Sequence, residues 1–142
     1  NPQIKLAFNP GTWQMKGGVE GIKEVLSLSH ILYVNREEAE KLTNFPDSHG
    51  KEKELLTLVS KLGPKISIIT DGPEGSLAYD GQRFIKCGIY PQEVTERTGA
   101  GDAFGSGMIS ALIKGRTLEE ALIWGTINSA SVVSFVGAQK GL

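Results

Sequence analysis

The residues Glu96-Arg97-Thr98-Gly99-Ala100-Gly101-Asp102-Ala103-Phe104-Gly105-Ser106-Gly107 place glycines, a helix start and an acid within one short stretch. Glycines before a helix N-terminus leave backbone N–H groups free of side-chain cover. Those groups and the positive end of the helix dipole form an anion site, which a phosphate commonly fills. A carboxylate repels a phosphate, so Asp102 is out of place as a binder. It suits a group that takes a proton from a hydroxyl beside the phosphate. The Gly99, Ala100 and Gly101 N–H groups would then hold the charge that develops on the transferred group.

Three readings of this stretch compete. One is a closely packed helix start in which Asp102 merely favours the dipole. Another is a dinucleotide fingerprint, because Gly99, Gly101 and Gly105 are spaced G-x-G-x-x-x-G. That motif needs a hydrophobic strand just before the glycines, whereas Gln92-Glu93-Val94-Thr95-Glu96-Arg97 is polar. The third is a kinase anion hole with its catalytic base.

Two further constellations sit where strands should end. Asn35-Arg36-Glu37-Glu38 follows the apolar run Ile31-Leu32-Tyr33-Val34. Asn35 and Glu38 are spaced to cap a helix reciprocally. In open α/β sheets the same corner faces the ligand crevice. A carboxylate and an amide there suit bound phosphates and their Mg²⁺, a hard cation that keeps several waters. Thr70-Asp71-Gly72-Pro73-Glu74-Gly75 follows a second apolar run, Ile66–Ile69. It reads as an ordinary turn, yet Gly72 and Gly75 would let a nucleotide approach the backbone closely.

Together these motifs resemble the ribokinase-like carbohydrate kinases, the PfkB family. Thr98-Gly99-Ala100-Gly101-Asp102-Ala103-Phe104 is similar to that family's second signature, D-T-x-G-A-G-D-x-F, with Glu96 and Arg97 where Asp and Thr are usual. Asn35-x-x-Glu38 resembles its metal motif, and Thr70-Asp71-Gly72-x-x-Gly75 its nucleotide loop. The resemblance implies ATP and Mg²⁺ as cofactors. It sets Glu96 and Thr98 beside a monovalent cation, K⁺, and puts Thr126 and Asn128 on the segment that flanks the adenine. Gly137-Ala138 resembles the family's G-A pair near the C-terminus. The family has roughly twice this length, and its acceptor-binding residues lie in an N-terminal half that no segment here matches.

The composition allows this chemistry and excludes others. The chain has 142 residues, enough for one domain with a sizeable core. With 39% apolar and 22% charged residues, it reads as soluble and globular. A net charge of −1 offers no attraction to nucleic acid or to a membrane surface. No apolar run is long enough to span a bilayer, and no signal peptide is visible. A single cysteine, Cys87, excludes an internal disulfide framework and fits a reducing cytoplasm. It reads as a small packing residue.

The elements that must position these residues follow from periodicity and punctuation. Ile4–Phe8 reads as a buried strand and Thr12–Gly18 as a loop in which Trp13 and Met15 pack in a core or an interface. Val19–Leu28 reads as a helix with Val19, Ile22, Val25 and Leu26 on one face. Ile31–Val34 is a strand, with His30 and His49 on the surface. Lys51–Leu62 is an amphipathic helix, stopped by Gly63-Pro64, and Ile66–Thr70 is a strand. Asp80-Gly81 turns a hairpin between Ser76–Tyr79 and Arg83–Cys87. A helix runs from Asp102 to Lys114 and stops at Gly115. A capping box, Thr117 with Glu120, opens a last helix in which the small residues Gly125, Ser129 and Ala130 permit close approach.

Early strand–helix alternation implies a parallel α/β sheet. The expected fold is a ribokinase-like three-layer α/β/α domain with a mostly parallel sheet. Residues 1–142 would form a single-domain fragment, the nucleotide-binding and catalytic C-terminal half. The expected activity is ATP-dependent phosphorylation of a sugar, nucleoside or related hydroxyl, with the fragment inactive alone and able to self-associate. A non-catalytic nucleotide-binding module and a nicotinamide-dependent oxidoreductase remain the other classes.

Overall fold

A computed structural model describes residues 4–91 and 93–137. The chain forms two compact units: the first runs to Asp71 and resumes over Leu77–Lys86, and the second holds Gly72–Ser76 and the chain from Cys87 on.

The first unit is built on a sheet whose strands lie in sequence order: β1 (Leu6–Phe8), β2 (Ser29–Asn35), β3 (Ile66–Thr70), β4 (Ser76–Tyr79) and β5 (Phe84–Cys87). β1, β2 and β3 run parallel, and Asn35 stands beside Thr70 at the end of the β2–β3 ladder. Period-2 alternation sends Leu32, Val34 and Ile69 to one face. There they meet Ile22 and Leu26 of α2 (Gly18–Leu28), Ala39 and Leu42 of α3 (Arg36–Thr43), and Leu55, Leu56 and Val59 of α4 (Glu52–Ser60). Leu26, Leu32, Leu55, Leu56 and Val59 are fully buried, and each contributes about 1.5–3 kcal/mol by leaving water. This core holds the C-terminal ends of β2 and β3 in fixed register.

The α/β class and the parallel β1–β3 sheet agree with the sequence. Several local expectations do not. Ile4 lies outside β1 and is 73% exposed, because β1 is an edge strand with one neighbour. Thr12–Met15 forms a short helix, α1, where a loop was expected; Met15 packs against the core, while Trp13 is 79% exposed. His30 lies within β2 and is half-buried, not on the surface. Burial holds its pKa below the ordinary value, with Lys5 and Lys65 adding to the effect.

The second unit pairs α5 (Ala100–Ile113) with α6 (Leu118–Val133). A Cβ on Gly107 would lie 2.8 Å from the Trp124 carbonyl oxygen, and one on Gly125 2.8 Å from that of Phe104. The helices therefore meet backbone to backbone, as the small residues of α6 suggested. Met108 of α5 and Leu122 and Val132 of α6 are fully buried. Thr117 and Glu120 form the expected capping box. Ile113, at the end of α5, points out and is 81% exposed. Among the described residues no helix is long and apolar enough to cross a membrane.

Candidate functional site

In the second unit the site begins at Gly99. Its φ of +82° is left-handed and makes it the N-cap of α5, a conformation that costs any residue with a Cβ about 1–2 kcal/mol. The helix therefore opens at Ala100, two residues before the expected start at Asp102. The first intrahelical bond runs from the Ala103 N–H to the Gly99 carbonyl at 2.9 Å. The Gly101 and Asp102 N–H groups precede it, in the set that a helix leaves to outside acceptors. The Ala100 N–H already donates to the Arg97 carbonyl at 3.2 Å, so the anion-holding role expected of Gly99, Ala100 and Gly101 narrows toward Gly101 and the Asp102 backbone. A Cβ on Gly101 would meet nothing within 4 Å, and the space over this turn is open. Asp102 stands in the first turn with an exposed side chain. No strand is formed among the described residues of 89–99, so the hydrophobic strand that a dinucleotide fingerprint requires is missing there.

Several expected ligands in this unit have protein partners. The Glu96 carboxylate accepts from the Gly137 N–H at 2.9 Å. The Thr98 hydroxyl and that N–H hold its pKa below the ordinary carboxylate range. Asn128 Nδ2 donates to the Ala103 carbonyl at 2.7 Å and to Ser106 Oγ at 3.2 Å, tying α6 to α5. Thr126 Oγ1 lies 3.5 Å from Cys87 Sγ, in keeping with a packing role for the half-buried cysteine. Gly75 has a φ of +85°, and its missing Cβ would fall 2.2 Å from the Cys87 carbonyl oxygen. Its close neighbour is thus the chain's own backbone. Gly72 differs, since a Cβ there would meet nothing within 4 Å. A groove of about 520 Å³ along α5 and α6 is lined by Ser106, Ser110, Trp124, Ile127, Asn128 and Ser131. Gln92 and Ala138 lie outside the described residues.

In the first unit, Asn35 caps α3. Its Oδ1 accepts from the Glu38 N–H at 2.8 Å, and Glu38 Oε2 accepts from the Asn35 N–H at 2.9 Å. The capping box is therefore real, and Thr70 stands beside it across the ladder. Sequence reasoning assigned nothing to the next residue, Arg36, which is only 6% exposed. Its guanidinium forks onto Asp71, Nε to Oδ1 at 2.9 Å and Nη2 to Oδ2. Nη1 donates to Ser48 Oγ at 3.0 Å and Nη2 to Glu52 Oε1 at 3.2 Å. Asp71, expected to meet a nucleotide, has both oxygens on Arg36. Removing one partner from a buried pair of this kind costs about 3–5 kcal/mol. A signal was available: Arg36 and Asp71 are the first residues after two strands that the alternation makes parallel neighbours.

Among the described residues no group of three or more His, Cys, Asp or Glu side chains could hold a metal by itself. One carboxylate beside an amide fits Mg²⁺, which takes one or two carboxylates and completes its shell with water and phosphate oxygens. Glu38→Gln separates a metal role for Glu38 from its capping role. Glutamine at this position still accepts from the capped N–H, so the melting temperature should stay near wild type while the Mg²⁺ needed for nucleotide binding rises. A fall in melting temperature with an unchanged Mg²⁺ response would leave Glu38 as a cap alone.

Comparison with known proteins identifies the family. Residues 5–142 match the family described as pfkB family carbohydrate kinase. The ATP-dependent 6-phosphofructokinase of Thermoanaerobacterium thermosaccharolyticum is 36% identical over 121 residues, which cover 85% of this chain and 36% of that enzyme. The cytidine kinase of Thermococcus kodakarensis is 32% identical over 114 residues, covering 79% of this chain and 40% of that protein. Among solved structures, the ribokinase of Arabidopsis thaliana in complex with ribose and ATP superposes with a TM-score of 0.85 at 27% identity. That match covers 95% of this chain and 43% of the ribokinase. The chain thus spans less than half the length of these relatives. Fold, signature and sequence agree that it belongs to the pfkB family of carbohydrate kinases.

Proposed function

We propose that this chain is the nucleotide-binding and base-carrying part of an ATP-dependent kinase that phosphorylates a hydroxyl of a sugar or nucleoside. The observation that carries the reading is the start of α5, where exposed Asp102 stands among N–H groups that precede the first helical bond. Asp102 would take the proton from the acceptor hydroxyl as its oxygen attacks the γ-phosphorus and the bond to the β-phosphate oxygen breaks. The Gly101 and Asp102 N–H groups, with the helix dipole, would stabilise the charge on the transferring group. Taken by itself, the first unit offers Asn35 and Glu38 as groups that would serve a phosphate and its cation. Bound Mg²⁺ would neutralise phosphate charge. Gly72, open above its Cα, would border the nucleotide, and the groove lined by Asn128 is a candidate seat for the adenine.

Calorimetric titration with ATP and with NAD tests the assignment on the chain itself. ATP with Mg²⁺ should bind in preference to NAD. The reverse preference would move the chain to the oxidoreductases.

Three expectations follow, one for the kinase carrying this chain and two for the chain alone. Glu96 keeps a carboxylate at the K⁺ position but already serves Thr98 and Gly137. Rates of the kinase carrying this chain should therefore differ only modestly between K⁺ and a large organic cation; equal rates would mean that no cation site operates. The acceptor side of the reaction would come from residues outside this chain, so the chain alone should turn over no sugar. It should also self-associate, since Ile4 at the β1 edge is 73% exposed and Ile113 on α5 is 81% exposed. Sedimentation showing a monomer, with sugar-dependent ATP hydrolysis, would contradict both statements.

A further inference from the structure

We infer that Arg36 is a positioning residue for the Mg²⁺–nucleotide corner of the first unit, acting through Asp71; this rests on the function proposed above. Register supports it first. Asn35 pairs with Thr70 at the end of the parallel β2–β3 ladder. The next residues, Arg36 and Asp71, are no longer joined by strand hydrogen bonds, and their side chains continue the connection instead. The two-pronged contact fixes orientation as well as distance, because the guanidinium and the carboxylate are both planar. The β3 exit is therefore set against the first turn of α3, which carries Asn35 and Glu38.

The surroundings of Arg36 reinforce this. Its third nitrogen reaches Ser48, which is fully buried and whose hydroxyl in turn donates to Glu40 Oε1 at 2.7 Å. The Ser48 N–H donates to the same oxygen at 3.0 Å, and these two bonds hold the Glu40 pKa below the ordinary range. Glu52 accepts from Arg36 and also from the Gly50 N–H at 2.8 Å. One guanidinium thus joins the exit of β3, the first turn of α3, the 48–50 loop and the start of α4. Among the described residues Glu38 bonds only within its own helix cap, so its aim depends on how that first turn is held. The arrangement is that of an outer residue orienting a metal-side group.

The test replaces the pair by apolar residues of similar size, Arg36→Met with Asp71→Leu. Such replacements commonly preserve stability or raise it, so packing and positioning separate. ATP binding to the whole 142-residue chain is titrated across a Mg²⁺ series, with the melting temperature followed in parallel. The double variant should melt near wild type yet bind ATP about tenfold more weakly in Mg²⁺, with a smaller loss in its absence, the scale seen when an outer partner of a metal ligand is removed. A double variant with wild-type melting and a wild-type Mg²⁺ response would overturn the inference. Should the double variant not fold, Arg36→Lys decides, since lysine keeps the charge without the fork. An unchanged Mg²⁺ response in that variant overturns the inference equally. A wild-type chain that binds no ATP would defeat the proposed function, and the inference with it, and is a distinct outcome from failure of the variants alone.

Discussion

Asp102→Asn should lower kcat of the kinase that carries this chain by about 10²–10⁴, the range for loss of a general base. Asparagine keeps the size and hydrogen-bonding reach of the side chain but cannot accept the proton. The backbone around it should not move, because the α5 turn is set by the left-handed Gly99 and by the Ala103-to-Gly99 bond. The side chain is exposed, so no packing is lost. ATP affinity should be kept or slightly improved, since a negative charge beside the phosphates is removed. The deciding measurement is kcat against nucleotide Kd in the same preparation. Activity within a few-fold of wild type would remove Asp102 from the proton transfer, whatever happened to binding.

Gly75→Ala should be the most damaging single-methyl change to the fold. Its Cβ would fall 2.2 Å from the Cys87 carbonyl oxygen and 2.9 Å from Gly88 backbone atoms, and neither is the mobile end of a side chain. Overpacking of this kind costs about 1–3 kcal/mol, and the left-handed φ adds about 1–2 kcal/mol. A loss of about 3 kcal/mol lowers the melting temperature by on the order of 10 °C for a chain of this size. Gly72→Ala provides the contrast. It carries the left-handed cost, with φ of +48°, but its Cβ enters open space. That variant should melt only slightly lower while losing ATP affinity, if Gly72 borders the nucleotide. Equal melting losses for the two variants would show that the Cys87 contact yields to the methyl group.

The parts of this structure that were legible in the sequence are those set by neighbours along the chain. β3 runs over Ile66–Thr70, as its apolar run and flanking turns required. The capping boxes of Asn35 with Glu38 and Thr117 with Glu120 form as spaced. Gly115 ends α5 with a φ of +74°. What could not be read depends on segments far apart. The Arg36–Asp71 fork joins residues 35 positions apart, so Asp71 looked available to a ligand. Gly75 looked like an opening for phosphates because nothing local announced that Cys87 and Gly88 return against it. The bond from Asn128 to Ala103 becomes visible only when α5 and α6 pack. Ile4 looked buried because an apolar residue in a strand carries no mark of lying at an edge.

The double use proposed for Asn35 and Glu38 has a consequence for how this lineage can decay. Under the proposed function, replacing either residue by one that cannot accept a hydrogen bond would abolish its contact with phosphate or cation and also uncap α3, and loss of such a cap costs about 1 kcal/mol. A duplicated copy freed from selection for phosphotransfer would still be selected for folding, so the Asn-x-x-Glu pattern would persist in it. Asp102 has no comparable second duty, because its exposed carboxylate adds only a favourable charge at a helix start. Drift should erase it first. In silent copies of such a gene, retention of Asn35 and Glu38 would therefore record an intact fold, and the residue at position 102 would record whether the chemistry survives.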